Sequence, residues 1–123
     1  ASYAKGVDER DFKLYRSCFA DDVEIVGFGE TTMNGGDAWT EYVVGALDQF
    51  TKTQHMLGPQ LATIEGDTAH CRTDVQAWHL MAQPDNQTLT LWATYVSTMQ
   101  RTSEGWKITR HELVSRATSI ATL

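Results

Sequence analysis

Apolar side chains recur at helical spacing in two stretches of the N-terminal part of the chain. The stretch 6–22 opens at Gly6, which predicts a break in the chain, and it offers Asp11 as the N-cap of a helix. The apolar side of that helix would hold Leu14, Tyr15, Cys18 and Phe19. The stretch 35–50 predicts a second helix that Asp37 can cap. Its apolar face would comprise Ala38, Trp39, Tyr42, Val43, Ala46, Leu47 and Phe50.

Outside these helices the pattern changes to that of β-strands. The short run VEIVGF, residues 23–28, is rich in β-branched residues and predicts one strand. After Thr51 the chain consists of four strand-like stretches separated by short polar turns, namely 53–64, 68–82, 88–101 and 106–116. Strands joined in this way predict an antiparallel meander. Helices followed by a run of strands indicate the α+β class, in which helices pack on one face of a curved sheet.

Two of the predicted strands show which face of the sheet should point inward. In 68–82, strict alternation separates a mostly small and apolar set from a polar one. The small set is Ala69, Cys71, Thr73, Val75, Ala77 and His79. In 88–101 the corresponding set is Leu89, Leu91, Ala93, Tyr95, Ser97 and Met99. Small inward side chains on a curved sheet leave space in front of them, so the two strands predict a lined cavity suited to a small molecule.

Composition and charge narrow the class of partner. At 123 residues with 41% hydrophobic composition, the chain predicts a single globular domain, residues 1–123. The net charge of −6 argues against nucleic acid and anionic membrane surfaces, because both require a basic face and the Lys and Arg residues are scattered. We expect a small uncharged or weakly polar molecule, or another protein. Cys18 and Cys71 predict buried thiols in a reducing compartment.

The candidate chemistry centres on His55, which interrupts an apolar strand pattern in TKTQHMLGPQL. A neutral imidazole accepts a proton near neutral pH, and an adjacent carboxylate orients the ring and stabilises the imidazolium. Asp8, at the start of the helical layer, is the candidate carboxylate. Local sequence alone leaves two alternatives open: Asp8 also fits a solvated turn or cap, and His55 also fits a structural histidine.

The remaining histidines do not predict a metal site. The four histidines show neither the i, i+4 spacing nor the cysteine cluster typical of metal ligands. His70 falls on the strand face opposite His79. His111 shares a strand face with Leu113, which would direct it inward, but the alternating polar residues around it favour a surface histidine. We therefore expect no metal and no other cofactor.

Several short motifs resemble a known family in their order and spacing. YAKGVDERDFKLYRSCFADDVEI is followed by TQHMLG, then by AWHL, then by EGWKI. The series resembles the SnoaL-like branch of the NTF2-like superfamily, which includes scytalone dehydratase, hexachlorocyclohexane dehydrochlorinase and bile-acid dehydratase. The resemblance covers nearly the whole chain and implies a cone-shaped α+β barrel with the active site inside the cone. It also implies a longer first helix, so we expect residues upstream of Ala1 to be missing.

The resemblance also implies roles for individual residues. GVDERD matches the family segment that holds a catalytic aspartate, which falls on Asp8, and TQHMLG matches the segment of the general base, which falls on His55. AWHL matches the place of a second active-site histidine, His79. Scytalone dehydratase has tyrosines where Val7 and Gly27 stand here, which argues against scytalone itself as the substrate. We expect a substrate also to contact Tyr95, Val7, Phe28, Trp39, Val75, Ala77 and Leu91.

These expectations combine into one functional prediction with its alternatives. We expect a cytoplasmic, cofactor-independent lyase, a dehydratase or related eliminating enzyme, acting on a small hydrophobic cyclic molecule. An isomerase or cyclase with the same His–Asp dyad would differ only in the fate of the abstracted proton. A non-catalytic ligand-binding protein, or a structural protein like the β subunit of ring-hydroxylating dioxygenases, is the alternative from another class. Because relatives associate through the outer sheet face, we expect a homo-oligomer, either a dimer or a trimer.

Overall fold

The computed structural model describes residues 2–29 and 32–123. Its helices are α1 Ser2–Asp8, α2 Phe12–Ser17 and α3 Gly36–Leu47. Its strands are β1 Phe19–Val26, β2 Met33–Asn34, β3 Phe50–Leu57, β4 Leu61–Glu65, β5 Thr68–Met81, β6 Gln87–Thr102 and β7 Gly105–Thr122. Within the described residues, no helix has the length and apolar character needed to cross a membrane.

The strands form one curved sheet that stays open. Its strand order is β2-β1-β7-β6-β5-β3, with β4 paired to β5. Neighbouring strands are antiparallel except for β1 and β7, which are parallel. The long β6–β7 hairpin shifts register at Trp92/Ala93 and at Thr98/Met99, and such bulges bend a strand. The prediction of an α+β fold with a curved sheet is therefore confirmed.

The stretch 53–64, expected to be one strand, is divided between β3 and β4. Both pair antiparallel with β5, and residues 58–60 separate them. The Gly58 N–H still donates to the Asp74 carbonyl at 2.8 Å. Pro59 has no N–H to donate, so the ladder cannot continue through it. The interruption follows from this one residue.

The predicted break at Gly6 is wrong, because Gly6 lies inside α1. A Cβ added there would meet the backbone nitrogen of Tyr15 at 2.8 Å, so glycine permits a close approach of α2 rather than ending the helix. Helix α1 ends later, in a Schellman motif. In that motif the Asp11 N–H donates to the Gly6 carbonyl at 2.8 Å, and the Arg10 N–H donates to the Val7 carbonyl at 3.3 Å.

One of the two predicted helix caps is confirmed. Asp11 caps α2, since its side chain accepts a hydrogen bond from the Leu14 N–H at 3.1 Å. The cap predicted for α3 is wrong. That helix follows Gly35 without a side-chain cap, and Asp37 lies in its first turn. There Asp37 accepts a hydrogen bond from Arg16 Nε at 2.8 Å, which draws the carboxylate away from the helix backbone.

The inner faces predicted for the two central strands are confirmed. Their residues pair across β5 and β6 as Ala69–Met99, Cys71–Ser97, Thr73–Tyr95, Val75–Ala93, Ala77–Leu91 and His79–Leu89. A second cluster joins the helices to the sheet and comprises Val7, Tyr15, Phe19, Val23, Ile25, Trp39, Val43, Leu47 and Ile108. Each large apolar side chain buried in this way contributes about 1.5–3 kcal/mol. This packing holds α1, and with it Asp8, against the sheet.

Candidate active site

Asp8 and His55, 47 residues apart in sequence, are in direct contact. Asp8 is the last residue of α1, and His55 lies within β3. Nδ1 of His55 is 2.7 Å from Oδ1 of Asp8, and the His55 backbone N–H donates to Oδ2 at the same distance. The two side chains are only 10% and 19% exposed. The contact predicted from the sequence is present, in a mostly buried position.

Thr53 adds a third donor to the Asp8 carboxylate. It lies two residues before His55 on β3, so both side chains point to the same face. The Thr53 hydroxyl donates to Asp8 Oδ1 at 2.9 Å and accepts from Arg10 Nη1 at 2.9 Å. Burial by itself raises the pKa of Asp8, but the hydrogen bonds from the His55 ring, the His55 backbone and Thr53 outweigh it and hold the pKa below its ordinary value.

The ionised carboxylate decides which nitrogen of the His55 ring carries hydrogen. A carboxylate accepts hydrogen bonds and donates none, so Nδ1 must be the protonated nitrogen. Nε2 of the neutral ring then carries the lone pair. The same carboxylate stabilises the imidazolium that forms when Nε2 takes up a proton. The arrangement can therefore act as a general base.

His79 lies beside this pair on the neighbouring strand. It is opposite Thr53 in the β3–β5 register, and its ring centroid is 6.0 Å from that of His55. Its Nδ1 is 2.9 Å from the Leu89 carbonyl oxygen, which can only accept, so Nδ1 carries the hydrogen. Phe50 packs against the ring with centroids 4.6 Å apart. Burial is the main cause that lowers the pKa of His79 below its ordinary value.

The protonation state of His79 changes the role that it can take. With a lowered pKa the ring is neutral near neutral pH, and with Nδ1–H engaged it presents a lone pair at Nε2. Such a nitrogen accepts hydrogen bonds and does not donate them. A catalytic part for His79 stays a prediction, now with Nε2 as an acceptor.

A cavity of about 480 Å³ lies on the same inner face, next to the dyad rather than around it. Its lining includes Leu57, Thr73, Tyr95, Ser97, Trp106 and His111 but not Asp8, His55 or His79. Leu57 connects the two places, because it follows His55 by two residues on β3. The described lining contains no Asp, Glu, Lys or Arg. The cavity therefore suits an uncharged molecule with a few hydrogen-bonding groups.

Tyr95 is the predicted contact residue that lines this cavity. Burial raises the pKa of Tyr95 to about 12, and the charge of Asp8 acts in the same direction. The phenol therefore stays protonated and can donate a hydrogen bond. Tyr95 therefore supplies a hydrogen-bond donor to the cavity wall.

His111 is buried, so the prediction of a surface histidine is wrong. It is 2% exposed because β1 pairs alongside this part of β7. Its Nδ1 is 2.8 Å from Ser97 Oγ, and its Nε2 is 3.1 Å from the Tyr3 hydroxyl. Burial lowers the pKa of His111 to about 3, so the ring is neutral and donates through one nitrogen only. The prediction failed because the residues on either side of His111 in sequence, Arg110 and Glu112, are polar.

Comparison with known proteins identifies the family. A sequence model of the SnoaL-like domain matches residues 1–112. The chain belongs to the SnoaL-like domain family. A comparison of this SnoaL-like domain with curated protein sequences found no significant match.

Solved structures share the fold of this SnoaL-like domain. A Novosphingobium aromaticivorans protein provisionally called a scytalone dehydratase is 21% identical, covering 98% of this chain and 81% of that one, with a TM-score of 0.88. The hexachlorocyclohexane dehydrochlorinase LinA-type3 from Novosphingobium barchaimii is 19% identical, covering 98% and 83%, with a TM-score of 0.85. A provisionally named aromatic ring hydroxylase from N. aromaticivorans is 25% identical, covering 99% and 86%, with a TM-score of 0.85. The predicted cone-like α+β architecture is confirmed.

The other predicted contact residues of this SnoaL-like domain lie in its packed clusters. Two belong to the cluster between the helices and the sheet, three lie with Tyr95 on the inner sheet face, and one follows β1 and packs against both groups. None of the six lines the cavity. They are Val7 and Trp39 between the helices and the sheet, Val75, Ala77 and Leu91 on the inner sheet face, and Phe28 after β1. Their contact with a ligand stays a prediction.

The sequence did not predict two polar residues near the dyad: Thr53, which donates to Asp8, and Arg10, which donates to Thr53. A signal existed for Thr53, since it precedes His55 by two residues and shares its strand face. No local pattern predicts that the Arg10 side chain reaches Thr53, 43 residues further along the chain. That contact depends on how α1 packs against β3.

The polar groups around Asp8 are hydrogen-bonded to one another. Asp8 accepts three hydrogen bonds, and Nδ1 of His55 supplies one of them. In the part of the chain that the structure describes, no group of three or more His, Cys, Asp or Glu side chains is placed to hold a metal ion.

Proposed function

We propose that this protein is a cofactor-independent lyase in which His55 removes a proton from carbon while Asp8 holds the ring. The supporting observation is the contact of both Asp8 oxygens with His55, which leaves Nε2 of a mostly buried imidazole as the proton acceptor. A carboxylate that stabilises the imidazolium lowers the barrier to proton transfer. A purely structural protein has no need of such a pair.

In the proposed elimination, Nε2 of His55 takes a proton from a substrate carbon. The electron pair of that C–H bond forms the new C=C bond, and the leaving group on the neighbouring carbon departs with the pair of its own bond. A halide leaves as the anion, and the imidazolium then returns its proton to solvent. A hydroxide takes the proton from the imidazolium and leaves as water.

The substrate class in this proposal is a small hydrophobic cyclic molecule. The cavity supports it, because its described lining is uncharged and offers hydroxyl groups from Thr73, Tyr95 and Ser97. Two residues of β-strand separate Leu57 at the cavity from His55, which is roughly 7 Å. A ring that contacts the cavity wall could therefore present a carbon to Nε2.

The names of two structural neighbours support the same reaction class. One is a dehydrochlorinase, and the other bears the provisional name of a dehydratase. Both names describe the loss of a small group together with a proton. Neither name gives the substrate of the present protein, whose cavity has its own lining.

A ligand-binding protein without catalysis is the second candidate. The observation that favours it is the lining of the cavity, which includes Tyr95 and Ser97 but not His55. An isomerase with the same dyad is a variant of the first candidate, since the proton would return to another carbon of the same molecule.

Replacement of His55 tests catalysis separately from binding. The wild type and His55→Ala would be incubated with halogenated and hydroxylated cyclic compounds, with products followed by mass spectrometry and binding followed by thermal shift. Loss of the general base should lower turnover by about 10²- to 10⁴-fold while binding persists. His70→Ala is the matched control, because His70 is exposed on the outer strand face.

The outcomes separate the candidates. Turnover that falls only in His55→Ala supports the lyase. Binding without turnover in the wild type supports the ligand-binding protein. Turnover that is equal in the wild type and His55→Ala overturns the proposed base. In heavy water, a product that carries deuterium and has lost no leaving group identifies the isomerase.

The homo-oligomer belongs to the same proposal. Trp92 and Val114 are 38% and 40% exposed, which is high for large apolar side chains in a folded protein. Association that covers the outer sheet face would remove such side chains from water. Light scattering on the purified protein distinguishes a dimer or trimer from a monomer.

A further inference from the structure

Arg10 adopts a backbone conformation that usually selects glycine. Its φ is +58°, and it occupies the position just after the end of α1 in the Schellman motif. A side chain in this left-handed region costs free energy that glycine would avoid. Arginine is therefore an unusual residue at this position.

One end of the Arg10 guanidinium is firmly anchored. Nη1 donates to the Val7 carbonyl at 2.7 Å and to the Thr53 hydroxyl at 2.9 Å. The first contact fixes the side chain to the end of α1, and the second fixes it to β3. Since Thr53 also donates to Asp8, the hydroxyl separates the guanidinium from the Asp8 carboxylate.

The other end of the guanidinium is buried and has no partner. Among the side-chain nitrogen and oxygen atoms of residues 2–29 and 32–123, Nη2 of Arg10 is the buried one without a hydrogen bond. Over the same residues, no ion pair joins Arg10 to an acidic side chain. A buried donor on a permanent cation is costly when it has neither hydrogen bond nor counter-charge.

The residue that anchors the guanidinium on β3 is a neighbour of the two imidazoles. Its anchor Thr53 shares a strand face with His55 and lies opposite His79 across the β3–β5 ladder. The charge of Arg10 is also among the causes that lower the pKa of His79, after burial, which is the largest. The hydrogen-bond partner of the fixed cation is therefore a strand neighbour of both histidines.

We propose that Nη2 of Arg10, held in place by Val7 and Thr53, forms a binding site for a small monovalent anion beside the His55–Asp8 pair. In its catalytic meaning this inference rests on the proposed lyase function: the anion is the leaving halide or the oxyanion that develops as the C–H bond breaks. Arg10 supplies the stabilising charge that a neutral His79 does not. Anion binding itself does not depend on turnover.

Chloride is the probe, and the width of its NMR line is measured in the presence of the whole chain to report binding. The wild type should broaden the chloride signal in a saturable way, and Arg10→Gln should weaken binding by about ten-fold or more, as expected for a lost charge-assisted hydrogen bond. Arg72→Gln is the matched control, because Arg72 is an exposed arginine on the outer strand face. It should leave the broadening unchanged.

A second measurement covers a variant that fails to fold. The NMR signals of the Arg10 guanidinium in the wild type should shift during a sodium bromide titration, while those of Arg72 stay in place. Equal chloride broadening in the wild type and a folded Arg10→Gln, or an Arg10 signal that bromide does not move, overturns the inference.

The His55→Ala variant separates this inference from the proposed function. If His55→Ala loses turnover but still binds chloride, the proposed lyase function and the anion site are both supported. If His55→Ala turns over normally while Arg10→Gln alone loses chloride, the proposed base fails and the anion site remains.

Discussion

Asp8 holds His55 through two different groups: one carboxylate oxygen accepts from the ring Nδ1, and the other accepts from the backbone N–H of the same residue. The second bond fixes the strand relative to the end of α1, and the first fixes the ring relative to the strand. A single carboxylate thus sets the position, the orientation and the tautomer of the proton acceptor.

Asp8→Asn should abolish the base while keeping the shape of the site. An amide has one accepting oxygen, and its NH₂ group would face a donor, so the ring should move its hydrogen from Nδ1 to Nε2. We expect turnover to fall by about 10²- to 10⁴-fold. Ring nitrogen chemical shifts of His55 check the tautomer. An Nε2 that remains unprotonated in the variant would contradict this account.

Thr53→Val should destabilise the protein although it hardly changes volume. The hydroxyl serves Asp8 and Arg10 at once, and its loss leaves two charged groups one partner short. We expect the free energy of unfolding in urea to fall by about 1–3 kcal/mol. Thr73→Val is the control, since Thr73 lines the cavity and has no part in the Asp8 and Arg10 contacts, and it should lower the free energy less than Thr53→Val does. Equal losses in both variants would rule out a special role for Thr53.

Two glycines in helices should respond to alanine in opposite ways. At Gly6 the new Cβ would meet the backbone N and Cα of Tyr15 at 2.8 and 2.9 Å, so α1 must move away from α2. We expect a loss of about 1–3 kcal/mol in the free energy of unfolding. At Gly45, in α3, nothing lies within 4 Å, and alanine should stabilise by up to about 1 kcal/mol. Denaturant unfolding of both variants decides, and a stabilised Gly6→Ala would refute the close approach.

His111 should make the fold sensitive to mild acid. Its folded pKa of about 3 lies below the ordinary 6.5, so below the ordinary value the unfolded chain binds a proton that the folded chain does not. Its stabilisation is therefore complete above the ordinary pKa and is lost as the pH falls toward the folded value. Between about pH 7 and pH 5, the wild type should lose about 2 kcal/mol more than His111→Gln, which cannot titrate.

The pH window of this experiment excludes Asp8. Its folded pKa is lowered, so its stabilisation is complete above its ordinary pKa of 3.8 and is lost only as the pH falls below that value. The other histidines are the same in both proteins and cancel in the difference. Identical acid sensitivity of wild type and His111→Gln would show that the His111 ring is not kept neutral by burial.

The sequence predicted those features whose cause is local. Alternation along β5 and β6 identified the inner face, because neighbouring side chains of a strand must point to opposite sides. Asp11 was identified as a cap because the group that it satisfies lies three residues away. The Asp8–His55 contact spans 47 residues: the residues alone made Asp8 a candidate with alternatives open, and the resemblance to the SnoaL-like family favoured the pairing.

The errors arose where tertiary contacts outweigh local preference. Gly6 was read as a helix breaker, but the space that it leaves is occupied by the backbone of α2. Asp37 was read as a cap, but Arg16 from another helix binds it. His111 was read as exposed from its neighbours, and no local pattern predicts the parallel pairing that covers it.

The hydrogen on Nδ1 of His79 is held by a main-chain oxygen, that of Leu89. Every amino acid carries a main-chain oxygen, so a substitution at position 89 leaves the acceptor for Nδ1 of His79 in place. Only slippage between β5 and β6 can remove it. Changing the tautomer of His79 by design would therefore require a change in the pairing of β5 with β6.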